Sequence, residues 1–255
     1  MTKQYNDKKY TIEETPFAYC KRHWNKYYKN KTYDGVTISN YINKLKCKRL
    51  ASKMGIRVPK LYYTGNYDRC PKAVLERKDI IIKNLSGAGK SYSEKLNKSE
   101  NWKNSEVIIE ERIKHFCRPH INKIPFDYKV YLFNGKVAYV LVYNRNYQED
   151  PRKPSFMLLD RNGKTHNKRL ELYDHRLMKD EKKVIPSLSV WNSLIESAEK
   201  IGKTVFKNVF VRLDFYIDEK GVVFGELSPN PCGSFVVRFH EKDQLLNKLT
   251  EELLV

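Results

Sequence analysis

Asp214 and Glu226 are the residues of this sequence best placed to do chemistry. They stand in Phe210-Val-Arg-Leu-Asp-Phe-Tyr216 and Val222-Val-Phe-Gly-Glu-Leu-Ser-Pro-Asn-Pro231, two largely apolar stretches separated by Asp218-Glu-Lys-Gly221. An unpaired carboxylate buried among apolar side chains is costly, so each is expected beside a cation. The pattern around the glycine-containing turn is that of a β-hairpin, which puts the two carboxylates on neighbouring strands. Such a pair suits Mg²⁺, which takes one or two protein carboxylates together with substrate phosphates. Arg212, two residues before Asp214, shares its face of the strand and can hold an anion that the metal also touches. The same residues can instead form an Arg-Asp-Glu salt-bridge cluster, and taken alone they leave both readings open.

A second candidate is the loop Asn84-Leu-Ser-Gly-Ala-Gly-Lys-Ser91, which follows the apolar strand Asp79-Ile-Ile-Ile-Lys83. Its end looks like the phosphate-binding loop G-x-x-x-x-G-K-[ST], but Asn84 stands where the first glycine is required. The segment from Ser93 to Lys103 is also too polar to pack on a parallel sheet. A P-loop enzyme is therefore disfavoured. What remains is either a flexible Gly/Ser loop flanked by Lys83 and Lys90, suited to folding over a triphosphate, or an ordinary β-turn. His115-Phe-Cys-Arg-Pro-His120 carries zinc-type residues but reads as a solvated loop.

The elements that must position these residues can be placed coarsely. Ser39 is expected to cap a helix running from Asn40 to Met54, with Ile42, Leu45, Leu50 and Met54 inward and Gly55 as its stop. Short extended pieces follow at Ile56–Pro59 and Lys60–Tyr63, then strands at Asp79–Lys83 and Val107–Glu111. Asn134-Gly135 between Asp127–Phe133 and Lys136–Val142 is a strong hairpin signal. Residues 144–185 read as a charged, irregular substrate loop with one short strand. Leu188–Ile201 is expected to be a helix with Trp191, Leu194, Ile195, Ala198 and Ile201 inward, stopped by Gly202. Residues 11–35 read as helix and loop, and Leu245, Leu246, Leu249 and Leu253 mark a last helix.

At 255 residues with 40 % apolar side chains, the chain has ample material for a folded core. No window approaches eighteen apolar residues and the first ten residues lack an apolar signal core, so a soluble cytoplasmic protein without a membrane span is expected. The five cysteines are scattered, odd in number and without a Cys-x-x-Cys pair, and read as free thiols. The net charge of +19 favours anionic partners, and residues 1–72 carry seventeen Lys and Arg against five Asp and Glu. Aromatics interleaved with this charge, as in His23-Trp-Asn-Lys-Tyr-Tyr28, would suit nucleic acid. Glycans, headgroups and nucleotides would be attracted equally well, and nucleic acid is the weaker expectation.

The order and spacing of these pieces carry a resemblance. A helix opening Asn43-Lys-Leu-Lys-Cys-Lys48, a strand ending at Lys83 with its Ser/Gly loop, a strand ending Glu110-Glu111, the segment Asp127-Tyr-Lys129, and the Arg212 to Pro231 hairpin are together similar to the ATP-grasp superfamily. The similarity is greatest to its TupA-like, teichuronopeptide-biosynthesis branch, over residues 38–235. It implies an α+β ATP-grasp fold with the nucleotide held between two α+β lobes, preceded by a small N-terminal α/β lobe. The implied division is a basic extension at 1–37, an N-terminal lobe at 38–75, a central ATP-lid lobe at 76–112 and a C-terminal catalytic lobe at 113–255.

By the same resemblance, Lys83 and either Lys44 or Lys48 would contact phosphate oxygens, and Ser86, Gly87 and Gly89 would close over the γ-phosphate. Glu110 and Glu111 would belong to the linker whose backbone binds the adenine edge, with a carboxylate there or nearby on the ribose, and Lys129 would face the nucleotide. Asp214 and Glu226 would hold Mg²⁺, while Arg212 would steady the acyl-phosphate and the later oxyanion. Many members have Asn two residues after the metal Glu. Here that residue is Ser228, so either Asn230 or a water would complete the shell. The implied reaction joins a carboxylate to an amine at the expense of ATP, through an acyl-phosphate. The implied carboxylate is uronic-acid or glutamyl, in cell-surface polysaccharide biosynthesis, and the implied assembly is a homodimer. A nucleic-acid-binding module and an ATP-dependent phosphotransferase stand as alternatives.

Overall fold

The computed structural model describes residues 2–5, 8–11, 32–33, 36–37, 43–85, 102–114, 116, 125–144, 155–166, 185–205 and 211–228. Two small antiparallel ladders come first, β1 (Thr2–Tyr5) with β2 (Lys8–Thr11) and β3 (Thr32–Tyr33) with β4 (Val36–Thr37). Helix α1 (Lys44–Lys53) is followed by β5 (Leu61–Asn66), a 3₁₀ turn at Tyr67–Arg69, the short helix α2 (Lys72–Leu75), β6 (Ile80–Asn84) and β7 (Glu106–Glu111). Next come β8 (Asp127–Phe133), β9 (Lys136–Asn144), β10 (Ser155–Asp160) and β11 (Thr165–His166). Helix α3 (Leu188–Val205), β12 (Val211–Asp218) and β13 (Gly221–Ser228) complete the described chain. Among the described residues, no helix is long and apolar enough to cross a membrane.

Two antiparallel sheets organise the molecule. The smaller has the order β5-β7-β6 and the larger β11-β10-β9-β8-β12-β13. Strand β5 pairs with β7, so the small sheet takes strands from both sides of residue 75. One face of the large sheet presents Tyr128, Val130, Val140, Val142, Met157, Leu213 and Phe215 to α3 and α1. Side chains alternate along a strand, so Asp127, Lys129, Arg212 and Asp214 point from the opposite face. A separate small core of Tyr67, Ile82, Trp102, Val107 and Ile109 supports the three-stranded sheet.

Both expected hairpins form. Asn134 and Gly135 have φ of 53° and 69°, the left-handed pair that a tight two-residue hairpin turn requires. At the other hairpin the Asp218 carboxylate accepts from the Lys220 amide at 2.8 Å, and Gly221 takes a φ of 105°.

Four expectations are corrected. Helix α1 begins at Lys44 rather than after Ser39, because Asn43 is its cap and accepts from the Lys46 amide at 3.0 Å. Its buried face is Lys44, Cys47, Lys48 and Ala51, not the stripe through Leu45, Leu50 and Met54, of which Leu50 and Met54 only flank the core. Helix α3 passes through Gly202 to Val205. That glycine serves close packing, since a Cβ there would lie 2.6 Å from Leu132 Cδ2 and 3.1 Å from Gly135 Cα. Finally, the supposed irregular loop at 144–185 contains a hairpin: β10 adds to β9 with Phe156, Met157, Leu158 and Leu159 buried, and β11 adds to β10. The expected last helix, most of the stretch at 11–35 and the pair His115 and His120 lie outside the described residues.

Candidate functional site

The polar face of the large sheet meets the small sheet and α1 at a cluster of charged side chains. In the β12–β13 ladder Asp214 is directly opposite Glu226, and Arg212 opposite Ser228. On the other side of β12, Lys129 of β8 is opposite Asp214. The ladder is irregular between Asp214 and Phe215. Gly225 fits this approach, because a Cβ there would lie 2.9 Å from the Tyr216 ring and 3.0 Å from the Asp214 carbonyl oxygen.

At this carboxylate end Asp214 is buried and receives three hydrogen bonds: Arg212 Nε to Oδ1 at 2.5 Å, Arg212 Nη2 to Oδ2 at 2.9 Å and Lys129 Nζ to Oδ2 at 2.9 Å. Lys129 also pairs with Asp127 at 2.6 Å, and its ammonium lies 5.5 Å from the Tyr143 ring centre. Arg212 Nη2 donates to Ser228 Oγ at 2.9 Å and lies 3.7 Å from Glu226 Oε1. Burial opposes ionisation of Asp214, but Arg212 and Lys129 prevail and hold its carboxyl near 2. Glu226 differs. Its side chain is 36 % exposed, and burial together with the Asp214 charge raises its carboxyl above the ordinary range.

The second end is built by α1, β6 and β7. Glu110, 1 % exposed, accepts from Lys83 Nζ at 2.7 Å through Oε1 and from Lys48 Nζ through Oε2. Lys44, one turn before Lys48, lies 4.0 Å from Glu226 Oε2, and the Lys83 ammonium is 5.7 Å from the Tyr216 ring centre. Burial, aided by the neighbouring Lys83 charge, pushes the Lys48 ammonium down to about 8, and burial likewise lowers Lys44. Burial also works against Lys83, but Glu110 first and then Tyr216 outweigh it and raise this ammonium above its ordinary value. The Glu110 carboxyl is held below the ordinary range because Lys83 and Lys48 outweigh its burial.

The structure thus brings together Lys44, Lys83, Glu110, Lys129, Arg212, Asp214 and Glu226 of the sequence-predicted residues. Lys44 and Lys48 both face the cluster, so the register of α1 does not choose between them. Glu111 does not join: it closes β7, where its amide donates to the Lys60 carbonyl at 2.8 Å, and the next amide, of Arg112, donates to that of Asp79 at 2.8 Å. Of the stretch expected as the linker, Glu110 and Glu111 are therefore in β7, and Arg112 follows it. Ser86, Gly87, Gly89 and Asn230 lie outside the described residues. Sequence reasoning missed Tyr216 and the side-chain role of Glu110. The alternation Ile108-x-Glu110, on the face of β7 opposite Val107 and Ile109, was the available signal.

Whether these residues fit Mg²⁺ and a polyphosphate can be judged from their charges. Among the described residues no three His, Cys, Asp or Glu converge as a closed metal site. The opposed Asp214 and Glu226 form instead the two-carboxylate set that Mg²⁺ uses when phosphates supply further oxygens. The Glu226 carboxyl is raised first by burial and then by the neighbouring Asp214 charge, and a divalent cation between the two carboxylates would offset the second. At the other end Lys48 and Lys83 share the single carboxylate of Glu110, so among the described residues positive charge exceeds negative there, as a phosphate chain requires. Both groups fit.

Comparison with known proteins gives the family and the fold. The family described as TupA-like ATP-grasp matches residues 68–250. No curated protein matches the sequence. Among solved structures, the ATP-grasp ligase PsnB complexed with a minimal precursor is similar with a TM-score of 0.50 and 14 % identity, covering 85 % of this chain and 62 % of that one. The D-alanine–D-alanine ligase of Bacillus anthracis complexed with ATP is similar with a TM-score of 0.50 and 14 % identity, over 86 % of this chain and 68 % of that one. An L-amino acid ligase of Bacillus licheniformis gives 0.51 and 11 %, over 86 % and 50 %. The chain therefore spans less than two-thirds of the PsnB ligase and half of the Bacillus licheniformis enzyme. At these identities the likeness shows the fold, which is ATP-grasp and α+β.

Proposed function

The chain belongs to the TupA-like ATP-grasp family, and on that premise we propose that it is an ATP- and Mg²⁺-dependent carboxylate–amine ligase. The observation that carries the reading is the direct pairing of Asp214 with Glu226 beside Arg212, facing the lysines of α1 and β6. Lys44, Lys48 and Lys83 bind the phosphate chain of ATP, with Ser86, Gly87 and Gly89 closing over the γ-phosphate. Asp214 and Glu226 hold Mg²⁺, with Ser228, Asn230 or water completing its shell. Bound there, the ion neutralises developing charge on phosphoryl oxygens. Arg212 orients the acceptor carboxylate and stabilises charge on its acyl oxygens, with Lys129 keeping Asp214 ionised. The carboxylate attacks the γ-phosphorus, giving an acyl-phosphate and ADP, and an amine then displaces phosphate to form the amide. We assign β5 to the lid together with β6 and β7, and the large sheet to the catalytic lobe.

The proposal extends to the substrates. Lys-rich surroundings and the net charge of +19 favour an anionic acceptor, a uronic-acid or glutamyl carboxylate in cell-surface polysaccharide biosynthesis, joined to an amino acid or amine by a cytoplasmic homodimer. The first test needs no acceptor. Thermal unfolding of wild type and of Asp214→Asn/Glu226→Gln is followed with ATP, with and without Mg²⁺. At a hundredfold excess over Kd, a rise of about 5–10 °C is expected for wild type only when Mg²⁺ is present, and none in the double variant. Absence of any nucleotide effect in wild type would refute the ligase reading.

A further inference from the structure

Glu110 links two parts of the molecule. Its two carboxylate oxygens are taken by lysines from different elements, Lys83 of β6 and Lys48 of α1. Helix α1 packs through Cys47 and Ala51 into the core of the large sheet, whereas Glu110 and Lys83 belong to the small one. The Lys44 amide donates to the Leu85 carbonyl at 3.1 Å, so the same junction is tied by backbone as well. A buried charge is tolerated only when paired, and one carboxylate cannot neutralise two ammoniums. The two lysines are spaced on the oxygens of a single anion, the arrangement that a phosphate group would also accept.

We propose that Glu110 is a positioning residue: an internal counter-anion that holds Lys48 and Lys83 at the spacing of phosphate oxygens and is displaced from them by the phosphates of ATP. This inference rests on the ligase reading of the same site. Glu110 then contributes to nucleotide binding through the lysines, not through the adenine or ribose. The groups facing Lys48 are Glu110 from β7, Lys83 from β6 and Glu226 from β13, with Lys44 and Cys47 on its own helix. Removing the Glu110 charge takes away a competitor of the phosphates. It also makes Lys48 give up its proton to solvent more readily beside Lys83.

The test is calorimetric titration with Mg·ATP between pH 6.5 and 9.5 of wild type, Glu110→Gln and Lys48→Met/Glu110→Gln. At pH 6.5, the most protonated end of the range, Glu110→Gln is expected to bind about tenfold tighter. Its affinity should then fall at a lower pH than in wild type. The double variant lacks both Lys48 and the Glu110 charge that supports the Lys83 ammonium, so its pH profile should differ from that of wild type. A purely structural Glu110 would lower the melting temperature without moving the pH profile. Unchanged or weaker binding by Glu110→Gln, with the wild-type pH profile, overturns the proposal and leaves the ligase reading intact. If Glu110→Gln does not fold, a wild-type pH profile in the double variant overturns it equally. No binding by wild type overturns both.

Discussion

The two ends of the charged cluster are built from the same materials with opposite imbalance. Among the described residues, Lys48 and Lys83 share the single carboxylate of Glu110, with Lys44 close by on the same helix as Lys48. Around Asp214, the described residues bring the carboxylates of Asp127, Asp214 and Glu226 together with Lys129 and Arg212. A buried ion-pair network gains little stability over a packed apolar one, so an unbalanced network is better explained by what it binds. One end calls for a polyanion and the other for a cation. On the proposed function the two ends together would accept a metal–polyphosphate complex, with the Lys44–Glu226 approach at 4.0 Å as the seam between the halves.

The comparison can be broken most directly by removing one charge at each end. Asp214→Asn leaves Arg212 and Lys129 buried beside a neutral amide, and a loss of about 3–5 kcal/mol is expected in urea unfolding. Lys48→Met at the other end should cost clearly less, because Glu110 keeps Lys83 at 2.7 Å and a surplus cation has gone. Equal losses would mean that the two ends do not differ in balance.

A cut outside both ends sharpens the contrast. Gly202→Ala should cost about 1–3 kcal/mol by overpacking Leu132 and the Asn134-Gly135 turn, while the affinity for Mg·ATP stays at the wild-type value. A fall in affinity would show that α3 transmits strain through the sheet to the site.

Gly202 also marks a limit of what could be read from sequence. Glycine after a helical pattern signals a stop, and only the tertiary approach of the β8–β9 turn reveals it as a packing position. The two hairpins were legible because alternation and turn chemistry act locally, at Asn134-Gly135 and at Asp218–Gly221. That Asp214 and Glu226 stand on neighbouring strands followed from this alternation, but their direct opposition did not: regular register from the turn would set Gly225 opposite Asp214, and the irregularity between Asp214 and Phe215 brings Glu226 there. The small sheet was not legible as a unit, since β5 finds β7 across an intervening helix and strand. Nor was the buried face of α1: hydrophobic periodicity favoured Leu45, Leu50 and Met54, and the face that won carries two lysines held by Glu110 and Glu226. A functional site overrides local preference in this way, so Glu110 gained its meaning only where three elements meet.

The smallest expected effect, a pH dependence, tests the lysine end without mutation. Burial and Lys83 hold the Lys48 ammonium to about 8 in the folded protein, against 10.5 when unfolded. Between those values the unfolded chain binds more protons, so stability rises with pH, and Lys44, lowered by burial, acts in the same sense. Cys47 works oppositely. Burial pushes its thiol to about 12 while the unfolded chain ionises from 9.0, so above pH 9 stability is lost as pH rises. The gain is therefore confined to pH 8–9 and should amount to about 1 kcal/mol in urea unfolding. With saturating Mg·ATP the phosphates take the place of the missing counter-charge and keep Lys48 protonated, so the folded state no longer sheds a proton in this window and the rise should vanish. A rise that persists with nucleotide would locate the titrating group away from the phosphate lysines and end the distinction between the two ends.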